Sequence, residues 1–184
     1  MVSINIFLSL FSLAIFILGC LWFLRSRLQD DSIPAAEDFT KERVMFVFPH
    51  PDDEITCAGT IKTLKLQGNE TILLTFTRGE LGTTNGLIDE ADPIALKMKL
   101  GQLRTKELKS VGELLGIDRL EILDFPDSGI KDLPRSAIAE VIEEKIQQYQ
   151  PTILITYDDR IGFYGHPDHY LTARYTKEIF LQQR

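Results

Sequence analysis

Pro49-His50-Pro51-Asp52-Asp53-Glu54 sets an imidazole and three carboxylates within five residues, directly behind the apolar run Val44-Met45-Phe46-Val47-Phe48. Like charges crowded at the end of a buried strand repel one another unless a cation or a reaction requires them there, so a metal site is the first expectation. The chain has 3 His, and the other two, His166 and His169, stand together in Gly165-His166-Pro167-Asp168-His169. Every histidine therefore falls in one of two motifs.

His50 and Asp53, three apart in a tight turn, can aim a nitrogen and an oxygen at one point, and His169 can add a second nitrogen from the other motif. Two His and one carboxylate leave coordination positions open, as in a catalytic rather than a structural zinc site. Such a metal polarises a carbonyl oxygen and lowers the pKa of its water from 15.7 toward about 7. Whichever of Asp52 and Glu54 stays off the metal can take the water's proton. His166, held protonated beside Asp168, can face the developing oxyanion or the leaving amine. Hydrolysis of an amide or ester follows. The same ligand set also suits Fe2+. The His-x-x-Asp spacing and the alternation of helix and strand speak against the iron oxygenases, which use an all-β barrel and His-x-Asp. A plainer alternative, an acidic helix start favoured by the helix dipole, leaves the clustering of the histidines unexplained.

The elements that must position these groups can be read from periodicity. Val44 to Phe48 is a continuous apolar run, as in a strand buried on both faces. Ile55, Ala58, Ile61 and Leu64 then recur at helical spacing until Gly68-Asn69. Thr71 to Phe76 reads as a second strand, followed by the Gly- and Thr-rich loop from Arg78 to Gly86. Asp92-Pro93 is an N-cap with proline at the first helical position, and Gly116 ends that helix. Leu120 to Phe125 gives a third strand, Ile138 to Ile146 a third helix, and Thr152 to Tyr157 a fourth strand that leads into the second His motif. The alternation predicts an α/β, Rossmann-like, mainly parallel sheet with helices on both faces. In such sheets the ligand crevice lies beyond the carboxyl ends of the strands, where both motifs fall.

A formal net charge of -7 provides no broad basic surface, so nucleic acid is not an expected partner. Cys20 and Cys57, the only cysteines, cannot build a disulfide framework or a Cys-rich zinc site. Val2 to Leu24 carries no charge and is long enough to cross a bilayer, which predicts one N-terminal transmembrane helix rather than a cleaved signal, since no basic segment precedes it. Arg25 and Arg27 after the span place the remainder on the cytoplasmic side by the positive-inside rule. The expected organisation is an anchor with its basic flank at 1–28, a linker at 29–42 and a single catalytic domain at 43–184.

Together with Thr77-Arg78-Gly79-Glu80, Arg104-x-x-Glu107 before Leu115-Gly116, and Tyr164-Gly165-His166-Pro167-Asp168-His169, the first motif resembles the PIG-L/LmbE family of zinc-dependent de-N-acetylases. The resemblance runs from about Arg43 onward and implies a Rossmann-like fold and removal of acetate from an N-acetylglucosaminyl group. By motif position, His50, Asp53 and His169 match the family's metal ligands and Asp52 its general base. His166 matches the residue that stabilises the tetrahedral intermediate, with Asp168 orienting it. Tyr164 matches a mobile active-site tyrosine, while Arg78 and Asp127 match substrate contacts. With an anchor, the expected substrate is a glycolipid such as N-acetylglucosaminyl-phosphatidylinositol. A soluble N-acylated sugar or thiol conjugate, or a non-catalytic membrane-anchored binding module, is the alternative. Family members continue well beyond the second His motif, so a fragment or a shortened form is expected.

Overall fold

Along β1 (Arg43–Phe48) successive side chains point to opposite faces of the sheet, and both faces are apolar. Val44, Phe46 and Phe48 pack with Ile61 and Leu64 of α2 (Ala58–Leu66) and with Leu108 and Leu115 of α3 (Pro93–Leu115). Met45 and Val47 pack instead with Ile138, Ile142 and Ile146 of α4 (Arg135–Tyr149) and with Ile179 of α6 (Pro167–Gln182). The continuous apolar run is thus a strand covered by helices on both sides, and the core is split into two layers by the sheet. The computed structural model describes residues 2–28 and 40–183, in two units, Met1–Asp38 and Phe39–Arg184, each taken by itself.

β1 pairs in parallel with β2 (Glu70–Thr77) on one side and with β4 (Ile153–Ile155) on the other, while β3 (Arg119–Phe125) pairs in parallel with β2. The order is β3-β2-β1-β4, so the chain steps outward from β1 and then returns to its other flank. That reversal between β1 and β4 is the topological switch point at which open α/β sheets form their crevice.

Local chemistry explains most of the boundaries. Asp92 caps α3, its Oδ1 accepting from Ile94 N at 3.0 Å ahead of Pro93. The helix expected from Ile55 begins as a 3₁₀ turn, Asp53–Cys57, because Asp52 is held in the left-handed region (φ 88°) and Thr56 Oγ1 bonds back to Asp53 O at 2.8 Å. β4 is shorter than the predicted Thr152–Tyr157. Beyond Ile155 the hydroxyl of Thr156 replaces the ladder, donating to Val47 O at 2.8 Å, and Tyr157 turns toward the first motif.

The first unit holds α1 (Val2–Leu28), whose described side chains from Ser9 to Leu24 are exposed, Phe16 at 68% and Trp22 at 72%. Among the described residues no helix is long and apolar enough to cross a membrane. The expected transmembrane helix at 1–28, the membrane as a partner, and the single-pass location with a cytoplasmic domain are corrected by that finding. The expected linker at 29–42 lies outside the described residues up to 39.

Candidate active site

The loops that leave the carboxyl ends of β1 and β4 meet. His50 Nδ1 lies 3.2 Å from His169 Nε2 and 3.5 Å from Asp53 Oδ2, and His169 Nε2 lies 3.3 Å from Asp53 Oδ1. Donors at about 2.0 to 2.2 Å around a tetrahedral ion stand about 3.3 to 3.6 Å apart, and these three separations lie close to that range, with Asp53 meeting His50 through one carboxylate oxygen and His169 through the other. All three residues are buried, at 8%, 6% and 1% exposure. His166 adds a third imidazole whose ring nitrogen lies within 4.8 Å of those of His50 and His169.

Each donor is fixed from behind. Asp53 Oδ2 accepts from His50 N at 2.8 Å. His169 Nδ1 lies 2.9 Å from the carbonyl of Gly162, which accepts its proton and leaves Nε2 with a free lone pair. Gly162 must be glycine: its φ is +60°, and a Cβ there would come within 2.4 Å of Tyr170 N and 2.6 Å of His169 Cβ. Burial lowers the pKa of His169, and the neighbouring His50 and His166 act in the same direction, against Asp53, so this imidazole is neutral as a ligand requires.

His50 presents its other nitrogen to two carboxylates, with Nε2 3.2 Å from Asp127 Oδ1 and 3.4 Å from Asp168 Oδ2. Neither contact is aligned as a hydrogen bond, and His50 Nε2 and both oxygens of the fully buried Asp168 are left without a partner. Burial opposes a charge on His50, but Asp127, Asp168 and Asp53 outweigh it and push its pKa up to about 11. Asp127 responds less strongly: burial raises its pKa, but His50 and the Leu81 amide bring it down to about 2, a smaller change because it shares His50 with the other carboxylates. A buried ring of carboxylates that retains a proton at its centre calls for positive charge there, and the donor set fits a divalent cation.

Most of the expected residues converge. His50, Asp52, Asp53, Asp127, Tyr164 and His166 line one cavity of about 630 Å³, with Tyr164 64% exposed at its rim and its ring 4.8 Å from that of His169. Asp52 stands at the mouth, 65% exposed, beside Arg104. Burial of its inner side raises its pKa, with Arg104 pulling down and Asp53 pushing up, and solvent tempers the result. Glu54 is buried and accepts from Asp52 N at 2.9 Å, which supports the turn.

Two pairings differ from expectation. The Asp168 carboxylate faces His50, and it is the Asp168 amide that meets His166, donating to Nδ1 at 3.2 Å. His166 caps α6 in this way, its Nδ1 being the acceptor at the helix start. Arg78 stands outside the cavity wall, its Nε 3.0 Å from Asp124.

Arg104 and Tyr157 have functional positions that sequence reasoning did not assign. The guanidinium of Arg104 donates to Pro51 O at 2.6 Å and Gly79 O at 3.2 Å and pairs with Asp52. It passes so close to Gly82 that a Cβ there would meet Nη1 at 2.3 Å. Gly79 and Gly82, three apart in the Gly-rich loop, were the available signal. Tyr157 donates to Asp53 Oδ1 at 3.0 Å, and its signal was its place at the carboxyl end of the predicted fourth strand.

The model of the family described as "PIG-L: GlcNAc-PI de-N-acetylase" matches residues 45–180. A diacetylchitobiose deacetylase of Thermococcus kodakarensis is 34% identical over 130 residues, covering 70% of this chain and 45% of that protein. A 1D-myo-inositol 2-acetamido-2-deoxy-alpha-D-glucopyranoside deacetylase of Mycobacterium sp. (strain KMS) is 35% identical over 156 residues, covering 73% and 48%. Among solved structures, N,N'-diacetylchitobiose deacetylase from Pyrococcus horikoshii, in complex with its inhibitor MPG, superposes with a TM-score of 0.63 at 29% identity, covering 76% of this chain and 49% of that one. The chain thus spans about half the length of these relatives. With the family model extending over β1 to α6 and both His motifs within it, the chain belongs to the PIG-L family.

Proposed function

We propose that this protein is a metal-dependent hydrolase that removes the N-acetyl group from an N-acetylglucosamine conjugate of the soluble sugar type. The observation that carries the reading is the triangle of His50, Asp53 and His169 donors, with Asp52 beside it at the mouth of one cavity. The named activities of the relatives, on diacetylchitobiose and on an N-acetylglucosaminyl inositol, support a sugar aglycone over the glycolipid expected from an anchor.

In this reading His50, Asp53 and His169 hold the metal, zinc by preference for a two-imidazole, one-carboxylate set. When bound, the ion would supply Lewis acidity at the amide carbonyl and lower the pKa of a water. Asp52, outside the donor triangle and raised in pKa, accepts the proton of the attacking water and passes it to the leaving amine. His166 Nε2–H donates to the carbonyl oxygen as negative charge develops on it. Asp127 and Asp168 hold His50 from behind, and Tyr164 closes the rim over the acetamide. Arg78 can reach a substrate only by leaving Asp124.

The test is acetate release from a panel containing diacetylchitobiose, an N-acetylglucosaminyl inositol and N-acetylglucosaminyl-phosphatidylinositol, with and without chelator. Chelator-sensitive release from the soluble members is expected. Release confined to the lipid-linked member would overturn the substrate assignment, and no release from any member in the presence of added zinc would overturn the activity.

A further inference from the structure

We infer that Tyr157 is a positioning residue for the metal donors, holding Asp53 through its hydroxyl and His169 through its ring. The inference rests on the metal site of the proposed function. Tyr157 lies two residues beyond β4, and its hydroxyl donates to Asp53 Oδ1 at 3.0 Å, with Asp53 O a further 3.4 Å contact. The other carboxylate oxygen is taken by His50 N at 2.8 Å. Each oxygen of Asp53 therefore has its own donor, and rotation of the carboxylate about its Cβ–Cγ bond breaks one bond or the other.

The ring does different work. It stacks on the imidazole of His169 with centroids 4.6 Å apart and planes 12° from parallel. Phe163 covers it at 5.9 Å and 10°, and Phe48 of β1 meets it at 5.0 Å and 58°. The Gly162 carbonyl fixes the direction of His169 within its own plane, and the Tyr157 ring fixes the plane. One side chain thereby ties the donor from the loop after β1 to the donor from α6. The phenol is thus packed between rings with its hydroxyl aimed at the Asp53 carboxylate. Partners one shell out from a metal typically change its affinity 10- to 100-fold when removed, by freeing the ligands to rotate.

The test is Zn2+ affinity of the full chain, measured by competition with a chromophoric chelator, together with the visible spectrum of the Co2+-loaded protein. Tyr157→Phe removes the hydroxyl and keeps the stack, so roughly 10- to 100-fold weaker Zn2+ binding is expected with an unchanged far-ultraviolet circular dichroism spectrum. A shifted Co2+ d–d band should accompany it, because Asp53 is then free to rotate, which a purely structural tyrosine would not produce. Tyr157→Leu, lacking both contacts, should bind more weakly still. Tyr157→Phe with wild-type Zn2+ affinity and an unmoved Co2+ band would overturn the inference and leave the metal site standing. A wild-type chain that binds no divalent ion would sink the metal site itself, and the inference with it.

Discussion

The metal-free protein should carry a proton on each nitrogen of His50 far above the pH at which an ordinary histidine titrates. His50 Nε2 faces Asp127 at 3.2 Å and Asp168 at 3.4 Å, and Nδ1 faces Asp53 at 3.5 Å. Burial alone would lower the pKa, but these carboxylates bring it to about 11. The folded-state value lies above the unfolded value of about 6.5, so the proton's contribution to metal-free stability is complete below pH 6.5 and is lost as pH climbs through about 11. At pH 8 an ordinary imidazole is about 3% protonated, whereas this one is almost wholly so. A cation at Nδ1 must displace that proton, at a cost on the order of 4 kcal/mol at pH 8, so metal affinity should rise about tenfold per pH unit. With only 3 His in the chain, two-dimensional nitrogen-15 spectra of the imidazoles assign each ring directly. The metal-free spectrum at pH 8 should show one doubly protonated imidazole, and Zn2+ should convert it to a singly protonated ring. A His50 midpoint near 6.5 in the metal-free protein would refute the argument from the surrounding carboxylates.

Asp52→Asn should keep Zn2+ affinity while acetate release falls by about 10²- to 10⁴-fold, the usual worth of a general base, measured at saturating metal; full activity would remove Asp52 from that role. Gly162→Ala forces a Cβ to within 2.4 Å of Tyr170 N, so its melting temperature should fall and Zn2+ binding weaken as His169 is displaced, read by calorimetry and chelator competition. Ile142→Ala, at a fully buried position between α4 and the sheet, should cost about 2 to 5 kcal/mol by urea denaturation, and a cost under 1 kcal/mol would contradict the packing described.

What the sequence disclosed about this fold follows from the range of the interactions concerned. Val44 to Phe48 announces a doubly covered strand because each of its residues is apolar, a property visible without knowing which helix covers which face. Asp92-Pro93 announces the start of α3 because the cap is a local bond between residues two apart. The convergence of the His motifs was legible because loops at the carboxyl ends of neighbouring parallel strands share one edge. Pairings across the fold were not. Whether Asp168 turns to His166, two residues away, or to His50 depends on how α6 docks beside β1, which adjacency in sequence does not encode. Arg104 looked like the near neighbour of Glu107 on a helix surface, yet its guanidinium reaches Asp52, which is 52 residues away. The apolar segment at the amino terminus misled in the other direction, since length and hydropathy are local and no helix among the described residues is long and apolar enough to cross a membrane.

The donor triangle is set by sheet register more than by the loops that carry its side chains. β4 pairs with β1 over only three positions, Val44 with Ile153, Met45 with Leu154 and Phe46 with Ile155. A slip of one residue would translate the second His motif by about 3.3 Å, a whole edge of the triangle, and would turn every β4 side chain to the opposite layer. Three paired positions hold such a register weakly, and the contacts beyond β4 supply what the ladder lacks: Thr156 Oγ1 to Val47 O at 2.8 Å, then Tyr157 Oη to Asp53 Oδ1 at 3.0 Å. The residues that end the strand early are therefore the ones that lock its register. A longer β4 would carry Tyr157 along the sheet edge and away from Asp53, so the shortness of the strand is a condition for the site.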